Sequence, residues 1–534
     1  MSIETTYKQE VKEASRRLLW QNAVRAMTQN RTSSRVINPN YMDNLWEYCK
    51  EEMAPFKRLP NMHDGVYEEW KRYADIQKGT KIASELKVAF FCGPEPENDV
   101  VYLLELGVLL ENIYAFEYDK EIFEEAVASL QNTYPSLKIF NGKIETYVTL
   151  NHTKFDIIYL DFTKSLISEY KVVAQIIDSN ALSDMGVLII NTTYPDITDE
   201  NVKFLAEYFL FRSFIEYTAI YDSTKDNYVN EGEEDSRFVE SCTSHGIYDI
   251  KTLMPMIKDH FRDAYSAFQT NFVITYSNLI KPITAVLNNP ILCKRLLTSE
   301  QNLRKILEDK KRFSEMEINY AYDAPLLYTA FANLSNASWR RFFENKENGM
   351  RYSRLESLKI LEMFLYAKYE DYQDIMSHKL QTELSIIEKN IIEKNYNASG
   401  LFCDVPMLHL WLQLMILQMG YPYHHNSQMQ KRFTYTAKTR SMCLDIFTLD
   451  TCRELYDSLS MMEYYSKDMS IPERQIVTRM CMDAIVKQTH WQLDQLYYGA
   501  HLIGINEKIW SHNHCFPRRI NIQGKENDFD ELPY

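Results

Sequence analysis

The chain has 534 residues, 45% of them hydrophobic and 25% charged, enough to bury several cores without covalent staples. Its net charge of −15 excludes a protein that coats nucleic acid over its whole surface, because phosphate binding needs concentrated positive charge, although one local basic groove stays compatible. Nine scattered cysteines form no CxxC pair, no apolar leader follows Met1, and no uninterrupted apolar run approaches about eighteen residues, so a reducing, cytoplasmic setting without signal peptide or membrane span is expected.

Residues 1–80 read as an N-terminal helical segment: a charged amphipathic run over 8–27, a break at Asn38-Pro39-Asn40, and helical spacing again over 42–53 and 65–76. This segment is expected to frame the fold without carrying a site. From Lys87 the pattern changes to short apolar runs at 88–92, 113–116, 137–140, 155–160 and 186–190, separated by helical patterns. Strands spaced by helices signal βαβ units around a parallel sheet, so 81–285 is expected to be a doubly wound, Rossmann-like α/β domain. A helix over 200–209, a strand over 214–221, an acidic loop over 222–235 and a last strand over 271–277 complete it. From Pro290 onward helical patterns dominate, so 286–534 is expected to be a large helical domain whose last long helix opens at Ser470 and Pro472. The aromatic-rich helix over 407–419 is expected in its core, and no repeat period is visible.

The chemistry concentrates where the first strand turns into a helix, at Cys92-Gly93-Pro94-Glu95. Ligands of open α/β sheets bind at the carboxyl ends of strands, and Gly93 permits close backbone approach there. The second strand ends in Glu117-Tyr118-Asp119, and Glu117 follows Gly93 by 24 residues, near the offset at which a carboxylate reaches ribose hydroxyls. Asp119 is the expected N-cap of the next helix. The third strand runs into Asn141-Gly142-Lys143-Ile144, and the fourth ends in Asp161-Phe162-Thr163.

In this order the features resemble the class I S-adenosylmethionine-dependent methyltransferases over roughly residues 85–280. The resemblance implies that Cys92, Gly93, Pro94 and Glu95 hold the methionine and ribose of S-adenosylmethionine and that Glu117, with Tyr118 beside it, binds the ribose diol. It implies that Lys143 and Ile144 touch adenine, and that Asp161 borders both cofactor and acceptor. Asp161 is then the candidate that orients the acceptor or removes its proton, with Phe162 placed to stack on a planar acceptor. The turn departs from the family pattern: Phe91 stands where an acidic residue is usual, and Glu95 and Glu97 stand in place of glycines. Those carboxylates would repel a dinucleotide pyrophosphate, whereas a sulfonium and an ammonium tolerate them, so the departure favours S-adenosylmethionine over a nicotinamide cofactor. The Gly-Pro-x-Pro turn is also similar to nicotianamine synthase over those few residues.

The function expected is therefore transfer of a methyl group to an unidentified acceptor, with the sheet domain holding the cofactor and the helical domain selecting the acceptor. The alternative is a methyltransferase-like scaffold or interaction protein. The tail Phe162-Thr163-Lys164 lacks the signature of exocyclic-amine DNA methyltransferases, and Cys92 is expected to be a buried thiol. No metal is expected, because His512, His514 and Cys515, even with His424 and His425, lack a set ligand spacing. Residues 431–440 alternate cations and aromatics and are a candidate single-stranded nucleic-acid groove, extended by Arg340, Arg341, Arg351, Arg354, Arg518 and Arg519. The helical domain is the expected surface for a protein partner or a second copy.

Overall fold

Five parallel strands, β1 (Val88–Phe91), β2 (Ile113–Glu117), β3 (Lys138–Asn141), β4 (Phe155–Asp161) and β5 (Leu182–Thr193), stand in the order β3-β2-β1-β4-β5. The computed structural model describes residues 10–37, 64–77, 79–209, 219–222, 227–230, 250–297, 342–347, 350–366, 376–382, 415–426, 429–457 and 519–523, with isolated positions 40, 43, 46, 47, 385 and 412. Two short strands, β6 (Ala219–Asp222) and β7 (Asn227–Asn230), form a separate antiparallel hairpin. The main sheet instead continues with β8 (His424–His425), β9 (Lys431–Ala437), β10 (Arg440–Asp450) and β11 (Ile520–Asn521), making nine strands in all.

Strand β10 runs antiparallel beside β5 with Met442 opposite Thr193 and Asp450 opposite Met185, and β9 folds back on β10 across a two-residue turn. The sheet thus crosses the boundary expected at 285, and 286–534 is not helical throughout. Physical necessity explains the pairing: β5 is twelve residues long and buried, and its outer edge would otherwise leave a row of unpaired amides. The expected strand over 271–277 is also corrected, since a helix spans Phe261–Thr275 and runs on through Tyr276–Ile280. Nearly every residue of that helix is buried, so it lacks the one-sided apolar stripe by which helices are read from sequence.

Alternation along the strands feeds two cores. Ile158 and Leu160 face one side with Ala89, Phe116, Leu188 and Ile190, against α5 (Leu166–Asp178), α6 (Asp199–Phe209) and α7 (Phe261–Thr275). Ile157 and Tyr159 face the other with Val88, Phe90, Val187 and Ile189, against α1 (Glu10–Met27) and α2 (Glu97–Glu105). The anchor of α1 is Trp20, fully buried and edge-on to Phe90 and Tyr159 at 6.1 and 5.5 Å between ring centroids. On the second face α3 (Lys120–Leu130), which buries Leu130 there, starts at Asp119, whose side chain accepts from the amides of Glu121 and Ile122 as expected, and on the first face α4 (Ile144–Asn151) follows β3 and buries Ile144 and Val148.

Of the expected nucleic-acid groove at 431–440, Arg432, Phe433, Tyr435 and Ala437 are interior sheet, while Thr436 and Lys438–Arg440 are exposed. Arg432 is 1% exposed and its guanidinium meets the Asp445 carboxylate at 3.3 Å, while Phe433 and Tyr435 are buried in the core. Two of the cations proposed to extend the groove are internal as well: Arg519 bonds Asp445 at 3.0 Å, and Arg354 bonds Asp178 and Glu347 at 2.6 and 3.0 Å. Alternation of cations with aromatics here records a strand whose buried arginine has a buried partner. Arg340, Arg341 and Arg518, the 470–472 helix start, His512, His514, Cys515 and most of the acidic stretch lie outside the described residues. Leu412 and Met415–Leu417, from the aromatic-rich helix, are buried as expected.

Candidate functional site

Parallel pairing brings the carboxyl ends of β1, β2, β3, β4 and β5 to one edge of the sheet, and the reversed β9–β10 hairpin delivers its turn to the same edge. A cleft of about 840 Å³ opens there, within the size range of small-molecule sites. Cys92, Gly93, Pro94, Glu95, Glu117, Tyr118, Lys143, Asp161 and Phe162 all line it. Of the residues expected at the site only Ile144 is not among them: as the first residue of α4 its apolar side chain is fully buried in the core with Phe116.

Each position has a local cause. Gly93 takes φ +59°, and a Cβ placed on it would meet nothing within 4 Å, so the turn needs glycine for its backbone and leaves an opening beside it. Glu95 accepts from Asn98 at 2.9 Å, whereas Glu97 is bonded by Ser129 at 3.0 Å and is absent from the cleft lining. Only one of the two carboxylates that replace the family glycines therefore faces the cleft. Glu117 uses one oxygen to accept the amide of Asp119 at 2.9 Å, which fixes its side chain over the end of β2. Tyr118 is 72% exposed at the rim, and burial pushes the Cys92 thiol far up, leaving it a protonated core group as expected. Phe162 is 7% exposed and packs edge-on to Phe91 at 5.4 Å, which holds its ring in the cleft wall.

Asp161 stands at the floor. Its Oδ1 accepts from Asn191 at 2.7 Å, and the same amide nitrogen donates to the Tyr435 hydroxyl at 2.8 Å. Burial raises the Asp161 carboxyl above its ordinary range, against the Asn191 hydrogen bond and the nearby charges of Arg16 and Lys12. Asn191 Oδ1 is buried with no hydrogen bond, a polar atom held next to the carboxylate at the cost of desolvation. A carboxylate so placed can orient a hydroxyl or amine and take its proton.

Several lining residues escaped sequence reasoning. The N-terminal helix, expected to carry no site, contributes Lys12 and Arg16, and Arg16 lies 3.6 Å from Asp99, which also accepts from Trp20 at 2.8 Å. Lys164 lines the cleft from the loop after β4, and Lys438 and Arg440, singled out in sequence only as part of the 431–440 stretch, line it from the hairpin turn. The spacing of Lys12 and Arg16 on one helical face was the available signal, but nothing local says which surface that face meets. Among the described residues no group of His, Cys, Asp or Glu is arranged to hold a metal, and no helix is long and apolar enough to cross a membrane. No family model matches the chain, and no curated protein matches it.

Proposed function

We propose that the chain is an S-adenosylmethionine-dependent transferase, and the observation that carries this is the convergence of Gly93, Glu117, Lys143 and Asp161 from the ends of four successive strands on one cleft. The sheet order supports the reading. A dinucleotide-binding sheet continues β3-β2-β1-β4-β5 with another parallel strand, whereas here the antiparallel β10 intervenes before β9, so the sheet departs from the dinucleotide-binding order. The donor set fits the cofactor's chemistry: a carboxylate over the end of β2, an acidic rather than anion-binding first turn, and an opening beside Gly93 that a side chain would fill.

When bound, the cofactor supplies a carbon activated by its sulfonium. In this reading Glu117 anchors the ribose, Phe91 and Phe116 exclude water, and Asp161 orients the acceptor and takes its proton. The raised affinity of Asp161 for a proton makes it a stronger base than a solvated aspartate, and the amide of Asn191 holds it in one orientation.

Calorimetric titration of the full chain with S-adenosylhomocysteine and S-adenosylmethionine tests the reading. Micromolar binding that falls about 10- to 100-fold in Glu117→Ala, the loss of a hydrogen bond to a charged group, is expected. Absence of binding to the folded chain would move the assignment to the scaffold alternative.

A further inference from the structure

A row of buried hydrogen bonds leaves Asp161 and ends on the N-terminal helix. The side-chain nitrogen of Asn191 carries two hydrogens, and it gives one to Asp161 Oδ1 at 2.7 Å and the other to the Tyr435 hydroxyl at 2.8 Å. Tyr435 is 4% exposed, and burial holds its hydroxyl far above the ordinary range, so it keeps its proton. Its oxygen accepts from Asn191, which leaves that proton for its other partner, the buried hydroxyl of Ser15 on α1. Ser15 in turn donates to the carbonyl of Lys12 at 2.8 Å. The hydrogens therefore run one way, from Asn191 through Tyr435 and Ser15 to the backbone of α1.

That direction decides which end of the Asn191 amide faces Asp161. The oxygen and nitrogen ends are nearly equal in size, and a half-turn of the side chain would exchange them. Turned, the amide would offer its oxygen to both neighbours. Tyr435 would have to give its proton to that oxygen and abandon Ser15, and Asp161 would face an acceptor, which only a protonated carboxyl tolerates. With the Tyr435 proton held by Ser15, the nitrogen stays toward Asp161 and favours the ionised carboxylate. Asn191 Oδ1 is left buried without a hydrogen bond, and turning the amide would put the nitrogen in that place and break the bond to Asp161 as well.

We infer that Tyr435 is a positioning residue: held by Ser15, it keeps the Asn191 nitrogen toward Asp161, so that the seating of α1 on the sheet governs how the cleft presents that carboxylate. Tyr435 is not among the residues that line the cleft, so it acts through Asn191. The charged and titratable groups that face Asp161 are Lys12 and Arg16 from α1, Asp99 from α2, Tyr159 from β4 and Tyr435 itself from β9. Of these, Tyr435 alone bonds both the amide that holds Asp161 and a side chain of α1 among the hydrogen bonds of the row. That Asp161 takes an acceptor's proton rests on the transferase reading; the row of hydrogen bonds does not.

The full chain, isotopically labelled at the side-chain carboxyl carbon of aspartate, is titrated with acid by NMR, the Asp161 signal being the one missing from Asp161→Asn. Neither acceptor nor cofactor is needed. In Tyr435→Phe the ring keeps its place in the core while the amide is freed to turn, and the Asp161 midpoint should rise by about half to one pH unit, the worth of one ordinary hydrogen bond. Ser15→Ala removes the acceptor of the Tyr435 proton and should move the midpoint the same way. A residue that only fills the core would lower the denaturant midpoint and leave the Asp161 titration where it was. An unmoved Asp161 midpoint in either folded variant overturns the inference, and Ser15→Ala decides it alone if Tyr435→Phe does not fold. The expected shifts in a chain that binds no S-adenosylhomocysteine would overturn the transferase reading and leave the positioning role standing, whereas S-adenosylhomocysteine binding with no shift would overturn the positioning role alone.

Discussion

Two aspartates of the same sheet are treated in opposite ways. Asp445, in the middle of β10, is fully buried, and its oxygens receive Arg432, Arg519, the Gln269 amide at 2.7 Å and the Thr270 hydroxyl at 3.2 Å. Asp161, at the end of β4, has the Asn191 amide and the Tyr159 hydroxyl as hydrogen-bond partners, and the cations near it stand on the cleft wall. The first carboxylate is saturated and joins β9, β10, α7 and the residue preceding β11 into one body. The second has no ion pair among the described residues and stands where a ligand can reach it. Saturation marks a structural charge and the missing ion pair a chemical one, because a buried charge without full compensation persists only where something else depends on it.

The comparison is broken most directly at Asp445. Asp445→Ala strands Arg432 and Arg519 without their carboxylate, and about 3–5 kcal/mol of stability should be lost, read as a fall in the denaturant midpoint. A chain that unfolds at the parent's midpoint would show that the network carries no such weight.

Asp161→Asn should do the reverse. Transfer should slow by roughly 100-fold, the lower range for losing a general base, while affinity for S-adenosylhomocysteine stays within about threefold. Its folded carboxyl binds a proton more readily than in the unfolded chain. The stability it contributes is therefore complete below the unfolded pKa and is lost as pH rises through the folded one. Near neutrality the charged form costs stability, so Asp161→Asn should unfold at higher denaturant than the parent at pH 7, with the gap closing as the carboxyl protonates at low pH. Transfer by the parent should fall as acid protonates Asp161, starting at a higher pH than for a solvated aspartate. A variant that loses stability and keeps activity would exchange the roles of the two aspartates.

The smallest effect sharpens the cleft side. Gly93→Ala forces an L side chain into φ +59° with no steric contact, so about 1–2 kcal/mol of stability should be lost from the backbone alone. Weaker S-adenosylhomocysteine binding should accompany it, because the new methyl group enters the opening beside the turn. Unchanged affinity would place the ligand elsewhere in the cleft.

The first five strands were legible because each is a short apolar run followed at once by its turn: Gly93 after β1, Glu117 and the Asp119 cap after β2, Asp161 after β4. The same reading missed β9 and β10. Buried on both faces, Met442–Asp450 carries no alternation to separate strand from helix, and Lys431-Arg432-Phe433 looks like a surface because its cation has no visible partner in sequence. Asn191 directly follows the recognised run 186–190, yet its hydrogen bond to Asp161 exists only because β5 pairs with β4 in that register.

By itself, then, the sequence determined the parallel half of the sheet and the polar residues at its strand ends, since periodicity and turn chemistry act between near neighbours. Tertiary structure alone decided that α1 and the β9–β10 turn complete the cleft, that Arg432 is a core residue, and which aspartate is saturated by ion pairs. Those outcomes depend on pairing an exposed strand edge with a strand remote in sequence and on compensating a buried charge with a carboxylate 13 residues on, which only the hairpin brings opposite it.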